Sequence, residues 1–292
     1  MEKITDEIKE VLEGGVDLHL HTAPDIFPRR LDDFEAAEQA KEAGLKAVVL
    51  KNHFFPTSSR AKLASERTGF TLIGSITLNK PVGGINPYAV EMALKEGARV
   101  VWMPTIHSIN TLRRPELVTM FQKIIRSGEE GLAITEGDGL IPDVYQVLEI
   151  VRDSDAVLAT GHISPQEVIP LVKAAVEMGL KRVILTHPFS HLVGMGKTDV
   201  KGLLDLSPGI YVEFTCYDCS SHIKEPLSYE EVKGLIREVS PGRTVISSDG
   251  GQRGNPPPYE MLAEMVGKLL PSFGREGVRR MIVKNPSFLM DL

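Results

Sequence analysis

The stretch DAVLATGHISPQEVIPLVKAAVEMGLKRVILTHPF, residues 155–189, decides how the rest of the chain reads. It holds two short apolar runs, and a histidine follows each: His162 after the first, His187 after the second. Between them, SPQEVIPLVKAAVEMGL carries apolar residues at helical spacing, opens on Ser-Pro and closes on Gly, the usual asymmetry of helix caps. Strands that are apolar on both faces and joined through a helix belong to a parallel sheet covered on each side. The segment therefore predicts one strand–helix–strand unit.

The same unit recurs outward in both directions. Further strand candidates are GVDLHLHT (15–22), LKAVVLKNH (45–53), FTLIGSITLN (70–79), ARVVWMPTIH (98–107), GIYVEFTCY (209–217) and RTVISSDGG (243–251). Helical periodicity fills the gaps, as in DDFEAAEQAKEAGL (32–45), PYAVEMALKEGA (87–98) and SYEEVKGLIREV (228–239). Eight strand–helix units in 292 residues predict an α/β fold of the (β/α)8 TIM-type barrel class, one domain spanning 1–292. The connection after the fourth strand, 113–155, is longer and predicts two helices around a Gly-rich piece that is a hairpin or an extra strand. An open doubly wound sheet ranks second, because the Gly-rich phosphate-binding fingerprint is missing after the first strand.

The bulk composition narrows the partners. A net charge of −6 with no basic tract argues against nucleic acid. No apolar run approaches the roughly 20 residues that span a membrane. The start, MEKITDEIKEVLEGG, lacks the basic and apolar regions of a signal peptide, and two cysteines make no disulfide framework. The expectation is a cytoplasmic protein acting on a small molecule, with self-association left open.

Six of the 8 histidines, His19, His21, His53, His107, His162 and His187, fall at the carboxyl end of a predicted strand. The eighth strand ends on Asp249 instead. In parallel barrels active sites are built at those ends, and imidazoles with a carboxylate suit Zn, Mn, Fe, Ni or Co, zinc first. One or two divalent ions are expected. The cation lowers the pKa of a water toward neutrality, and Asp249 then either ligates it or accepts the proton.

The order of these residues resembles the amidohydrolase superfamily of metal-dependent hydrolases. The resemblance rests on His19 and His21 in DLHLHT, His162 in ATGHIS, His187 in ILTHPF and Asp249 in SSDGG. It implies that His19, His21 and Asp249 hold the more buried metal, while His162 and His187 hold a second metal or orient substrate. It further implies hydrolysis of an amide, lactone or other C–N or ester bond in a small molecule, anionic if the arginines after strands one and four bind it; related mouths also support decarboxylation. Two departures stand out. The family's bridging lysine or glutamate at strand four is replaced by His107 in WMPTIH. LKNHF at strand two is similar to a motif of the polymerase-and-histidinol-phosphatase family, with Lys51-Asn52-His53 in place of Thr-Asp-His. That likeness makes His53 a ligand or an acid–base group and raises a carboxylated Lys51 bridging two metals, against a lysine simply paired with a carboxylate. A phosphoesterase of that second family and a non-catalytic metal-binding barrel are the alternatives.

Other polar residues carry weaker signals. Glu136 reads as a solvated loop acid ahead of a bridging carboxylate, and Glu213 interrupts an apolar strand, so it is either paired facing the barrel or at a rim. Cys216 and Cys219 read as two loop thiols, since a lone C-x-x-C has no second pair to complete a zinc site. Arg29, Arg30, Arg113 and Arg114 follow strands one and four, where guanidinium groups either bind an anion or serve as ordinary surface charge. His191 lies in a long loop near the expected substrate, and His222 has no strand-end position.

Overall fold

The computed structural model describes residues 4–292 apart from 115, 118–120, 122, 123, 127, 138, 222 and 224, so His222 lies outside the described residues. The strands are β1 (Val16–His21), β2 (Ala47–Lys51), β3 (Thr71–Thr77), β4 (Ala98–Trp102), β5 (Thr135–Glu136), β6 (Gly139–Leu140), β7 (Val157–Ala159), β8 (Val183–Leu185), β9 (Ile210–Thr215) and β10 (Thr244–Ser247). Helices α1 (Asp6–Leu12), α2 (Asp33–Glu42), α3 (Ser58–Thr68), α4 (Pro87–Lys95), α5 (Ile109–Leu112), α6 (Pro142–Asp153), α7 (Pro165–Glu177), α8 (Lys197–Leu204), α9 (Tyr229–Val239), α10 (Pro258–Arg279) and α11 (Asn285–Met290) alternate with them.

Eight strands form one sheet in the order β1-β2-β3-β4-β7-β8-β9-β10, which is chain order, and β5 and β6 form a separate antiparallel pair. A parallel bridge between Leu20 and Gly250 brings β10 back to β1. This is a (β/α)8 barrel, and β5–β6 is the hairpin inside the long connection after β4. Strand burial explains the apolar runs: every residue of β1, β2, β7, β8, β9 and β10 is buried.

The helices start where their caps dictate. Asp32 and Glu35, Ser164 and Glu167, and Ser228 and Glu231 form capping boxes at α2, α7 and α9, satisfying amides that the first helical turn leaves without internal partners. Glu167 does a second task, accepting the Ile134 N–H at 2.9 Å and so tying the hairpin region to α7.

The chain divides into two compact units. The first comprises Met1–Asn52, Thr57–Gly74 and Val212–Leu292. Its core includes Leu18, Leu50 and Ile246 from the sheet, with Met265, Leu269 and Met281 from the C-terminal helical region. The second comprises His53–Pro56 and Ser75–Tyr211. Val100, Trp102, Leu158 and Ile184 form its sheet core, under Leu148 of α6 and Leu171 of α7.

Candidate metal centre

In the first unit, alternation along β1 places Asp17, His19 and His21 on the interior of an otherwise apolar strand. Buried polar groups are costly without partners, and each of the three has them. His19 Nδ1 lies 3.1 Å from Glu213 Oε1 on β9, and its Nε2 lies 3.1 Å from Asp249 Oδ1. His21 Nε2 lies 3.2 Å from the same Asp249 oxygen. The two Nε2 atoms and the carboxylate thus converge on one point, with all three donor atoms within 4.8 Å of one another. Among the described residues they are the group of three or more able to hold a metal ion.

The loop after β10 is shaped to make this convergence. Asp249 stands at φ 44°, in the left-handed region that a non-glycine side chain adopts only under constraint from its surroundings. Two residues on, Gly251 has φ 101°, and a Cβ there would sit 1.7 Å from the His21 carbonyl oxygen. Glycine alone allows the loop to lie against the end of β1, where the His21 N–H donates to the Gly250 carbonyl at 3.1 Å.

Charged neighbours set the protonation. Burial pulls the His19 imidazole down, but the Asp249 and Glu213 carboxylates outweigh it and push its pKa up to about 9. Burial would raise the Asp249 carboxyl, yet His19 and His21 hold it well below the usual carboxylate range. Burial and then the Arg29 guanidinium hold the His21 pKa well below the ordinary histidine value. Arg29 Nη2 is 3.3 Å from His21 Nδ1 while its Nε donates to Asp25 Oδ2 at 2.7 Å. A guanidinium only donates, so His21 Nδ1 accepts, and a cation at Nε2 requires that hydrogen bond to be given up. Lys51 lies 1% exposed with Nζ 2.9 Å from His19 Nε2, and burial pulls its pKa down to about 8.

The donor set fits a borderline divalent ion. Two imidazoles and a carboxylate suit Zn, Mn, Fe, Ni or Co, and Glu213 supplies the carboxylate partner that orients a metal-binding histidine through its second nitrogen.

The second unit gathers other histidines. Asn79 Oδ1 accepts the N–H groups of Thr105 (3.0 Å) and His107 (3.1 Å). Its amide donates to Thr105 Oγ1 at 2.7 Å and to the His53 carbonyl at 3.0 Å. His53 Nδ1 lies 2.9 Å from Thr105 Oγ1. The His162 ring centre lies 6.4 Å from that of His53 and 5.0 Å from that of His187. Gly161, at φ 61°, makes the turn that carries His162, since a Cβ there would come within 2.3 Å of the Met103 carbonyl oxygen. His107 takes a different partner: its Nε2 is 4.0 Å from Glu129 Oε1, which Lys80 binds at 2.8 Å.

The remaining candidates are placed as follows. Glu136 is exposed at the hairpin. Cys216 is buried and Cys219 half-buried, both free, and burial pushes the Cys219 thiol up to about 12. Arg30 donates to the Asn255 carbonyl at 2.6 Å, and Arg114 to the carbonyls of His191 and Val193. These two arginines fasten loops. Sequence reading singled out Glu213 without its partner, because the pairing joins β1 to β9 across 194 positions. It passed over Asp17, Asn79 and Arg60, whose hydrogen bonds reach backbone and side chains distant in sequence and carry no motif.

Comparison with known proteins adds a family and a fold. Residues 14–213 match a family of unknown function, DUF6282. The chain belongs to the DUF6282 family. No curated protein matches this DUF6282 member. Among solved structures, an amidohydrolase from Pseudomonas aeruginosa aligns over 97% of the chain and 98% of its own, at 11% identity and TM-score 0.64. The organophosphorus hydrolase from Deinococcus radiodurans aligns over 96% and 93%, at 14% identity and TM-score 0.57. A structure from the molecular engineering of organophosphate hydrolysis activity from a weak promiscuous lactonase template aligns over 96% of both chains, at 14% identity and TM-score 0.59. At these identities the likeness shows that the DUF6282 chain shares their barrel fold.

Proposed function

We propose that the protein is a metal-dependent hydrolase of the amidohydrolase kind, acting on an amide, lactone or related ester bond of a small anionic molecule. The observation that carries this reading is the convergence of His19 Nε2, His21 Nε2 and Asp249 Oδ1 in one buried set. The hydrolytic neighbours of the same fold support it. When bound there, a divalent cation, zinc first, supplies Lewis acidity and a water acidic enough to attack near neutral pH.

The chain's own groups do the rest. Glu213 accepts from His19 Nδ1 and leaves Nε2 directed inward. Asp249, held ionised by the two imidazoles, is the base that takes the proton of the attacking water. Arg29, beside His21, supplies positive charge for an anionic substrate. His53, His107, His162 and His187 are proposed as further ligands or acid–base groups, His162 and His187 first because their rings adjoin.

Elemental analysis of protein prepared with Zn, Mn and Co tests the reading directly. At least one ion per chain is expected, and none after metal-replete preparation overturns it. Assays on amide, lactone and phosphomonoester panels then assign the bond. Turnover of phosphomonoesters alone favours the phosphoesterase alternative. Asp249→Asn, with its fold kept, should lower turnover by about 10²–10⁴-fold; unchanged turnover removes Asp249 as the base.

A further inference from the structure

Beside the metal donors, the meeting of β1 and β10 holds a second buried polar group, outside the set of three. Asp17, 1% exposed, lies two residues before His19. Its Oδ1 accepts the Ser248 N–H at 2.9 Å and the His19 N–H at 3.2 Å, and its Oδ2 accepts the Ser248 hydroxyl. Ser248 Oγ in turn accepts the Gly250 N–H at 3.1 Å and lies 3.1 Å from the His19 carbonyl oxygen. These bonds occur where the β1–β2 register shifts, between Asp17 and Leu20. They grip the residues on both sides of Asp249 together with the backbone of His19.

We infer that Asp17 and Ser248 form a clasp that sets where Asp249 and His19 stand, which makes Asp17 a positioning residue of the metal centre. The inference rests on the metal-binding reading above. The physical need is specific. Asp249 keeps a left-handed backbone, and such a conformation persists only where its surroundings over-determine it. Ser248 and Gly250, the flanking residues, are fixed through the Ser248 hydroxyl, and that hydroxyl is fixed by Asp17. Apolar packing alone would close the two strands without choosing where the carboxylate points. Asp17 makes that choice by bonding to the Ser248 and His19 amides and to the Ser248 hydroxyl, so it acts through Asp249 rather than on substrate.

The test uses the full chain in two arms. In metal-free protein, Asp17→Ala and Ser248→Ala should speed hydrogen exchange of the Gly250 amide tenfold or more, with β7 and β8 unchanged. In the second arm, Co²⁺ titration followed by its visible absorption should show affinity falling about 10–100-fold in both variants, with an altered band. Asp17→Asn keeps an acceptor for Ser248 N–H and an amide for its hydroxyl, so it should restore affinity to within about threefold. Folded variants with wild-type exchange at Gly250 overturn the clasp. Faster exchange with unchanged cobalt affinity and spectrum overturns the positioning role and leaves the metal reading standing. If Asp17→Ala does not fold, Ser248→Ala, which loses only one oxygen, decides the same questions. A wild type that takes up no cobalt overturns the metal reading and the positioning role together, while the exchange arm still decides the clasp.

Discussion

Glu213 determines what His19 can do. A carboxylate fully buried in an apolar strand is stable only if it is paired, and its Oε1 meets His19 Nδ1 while Asp249 meets Nε2. With carboxylates on both nitrogens, the imidazole of the metal-free protein keeps a proton to about pH 9. The sign of the pH dependence follows. The folded value lies above the ordinary 6.5, so the stabilisation from protonated His19 is full below pH 6.5 and is lost as pH rises through about 9. Metal binding runs the other way, because the cation must displace that proton. With chelator present, the His19 resonances followed by NMR between pH 6 and pH 10 should titrate near 9, whereas total stability over that interval also carries Lys51, whose pKa of about 8 works in the opposite direction. Cobalt affinity should rise over the same interval. Glu213→Gln removes one of the two charges: the His19 titration followed by NMR should move down from about 9, and metal affinity should fall about 10–100-fold. An unmoved titration would show that Asp249 alone holds the proton.

At the scale of elements, the loop after β1 is held by one residue of α3. Arg60 bonds to both Asp33 oxygens, at 2.7 and 2.8 Å, and to Thr22 Oγ1 at 2.6 Å. It also donates to the carbonyls of Thr22, Ala23 and Pro24 at 3.0, 3.2 and 2.6 Å. Removing a guanidinium from a largely buried carboxylate leaves that charge unpaired, so Arg60→Met should cost about 2–3 kcal/mol by urea denaturation, somewhat below a fully buried pair because Arg60 keeps some exposure. A loss under 0.5 kcal/mol would mean the loop is held by its own packing. Elements of this kind mark the edge of what the sequence discloses. The alternation of apolar strands with capped helices was legible, as was the interruption after β4, because periodicity and caps are local. His19, His21 and Asp249 were legible through their places at strand ends. Arg60 was not, since it meets Asp33 and Thr22 only once α3 packs beside the loop, and Arg30 and Arg114 were not, since their partners are backbone carbonyls, which every residue carries. Asn79 was hidden for the same reason: it binds two amides and a carbonyl.

At the scale of the molecule, the metal donors come from opposite ends of the chain. The first unit is assembled from an N-terminal part, to which His19 and His21 belong, and a C-terminal part, to which Asp249 belongs. The clasp beside them joins residues 231 positions apart. A cation bound to all three donors therefore ties chain ends that separate completely on unfolding, and the unfolded chain offers no comparable set. Binding to the folded form alone stabilises by RT ln(1 + [L]/Kd), about 2.7 kcal/mol at one hundred times Kd. For a chain of 292 residues that corresponds to a rise of roughly 4–5 °C in Tm. Calorimetry with Zn²⁺ against chelator should show this shift, and it should grow with the logarithm of free zinc. Asp249→Ala, which removes the donor shared by both imidazoles, should abolish the zinc dependence while leaving the chelator-treated protein folded. Should the variant keep the full wild-type shift, zinc stabilises the protein from a site other than His19, His21 and Asp249.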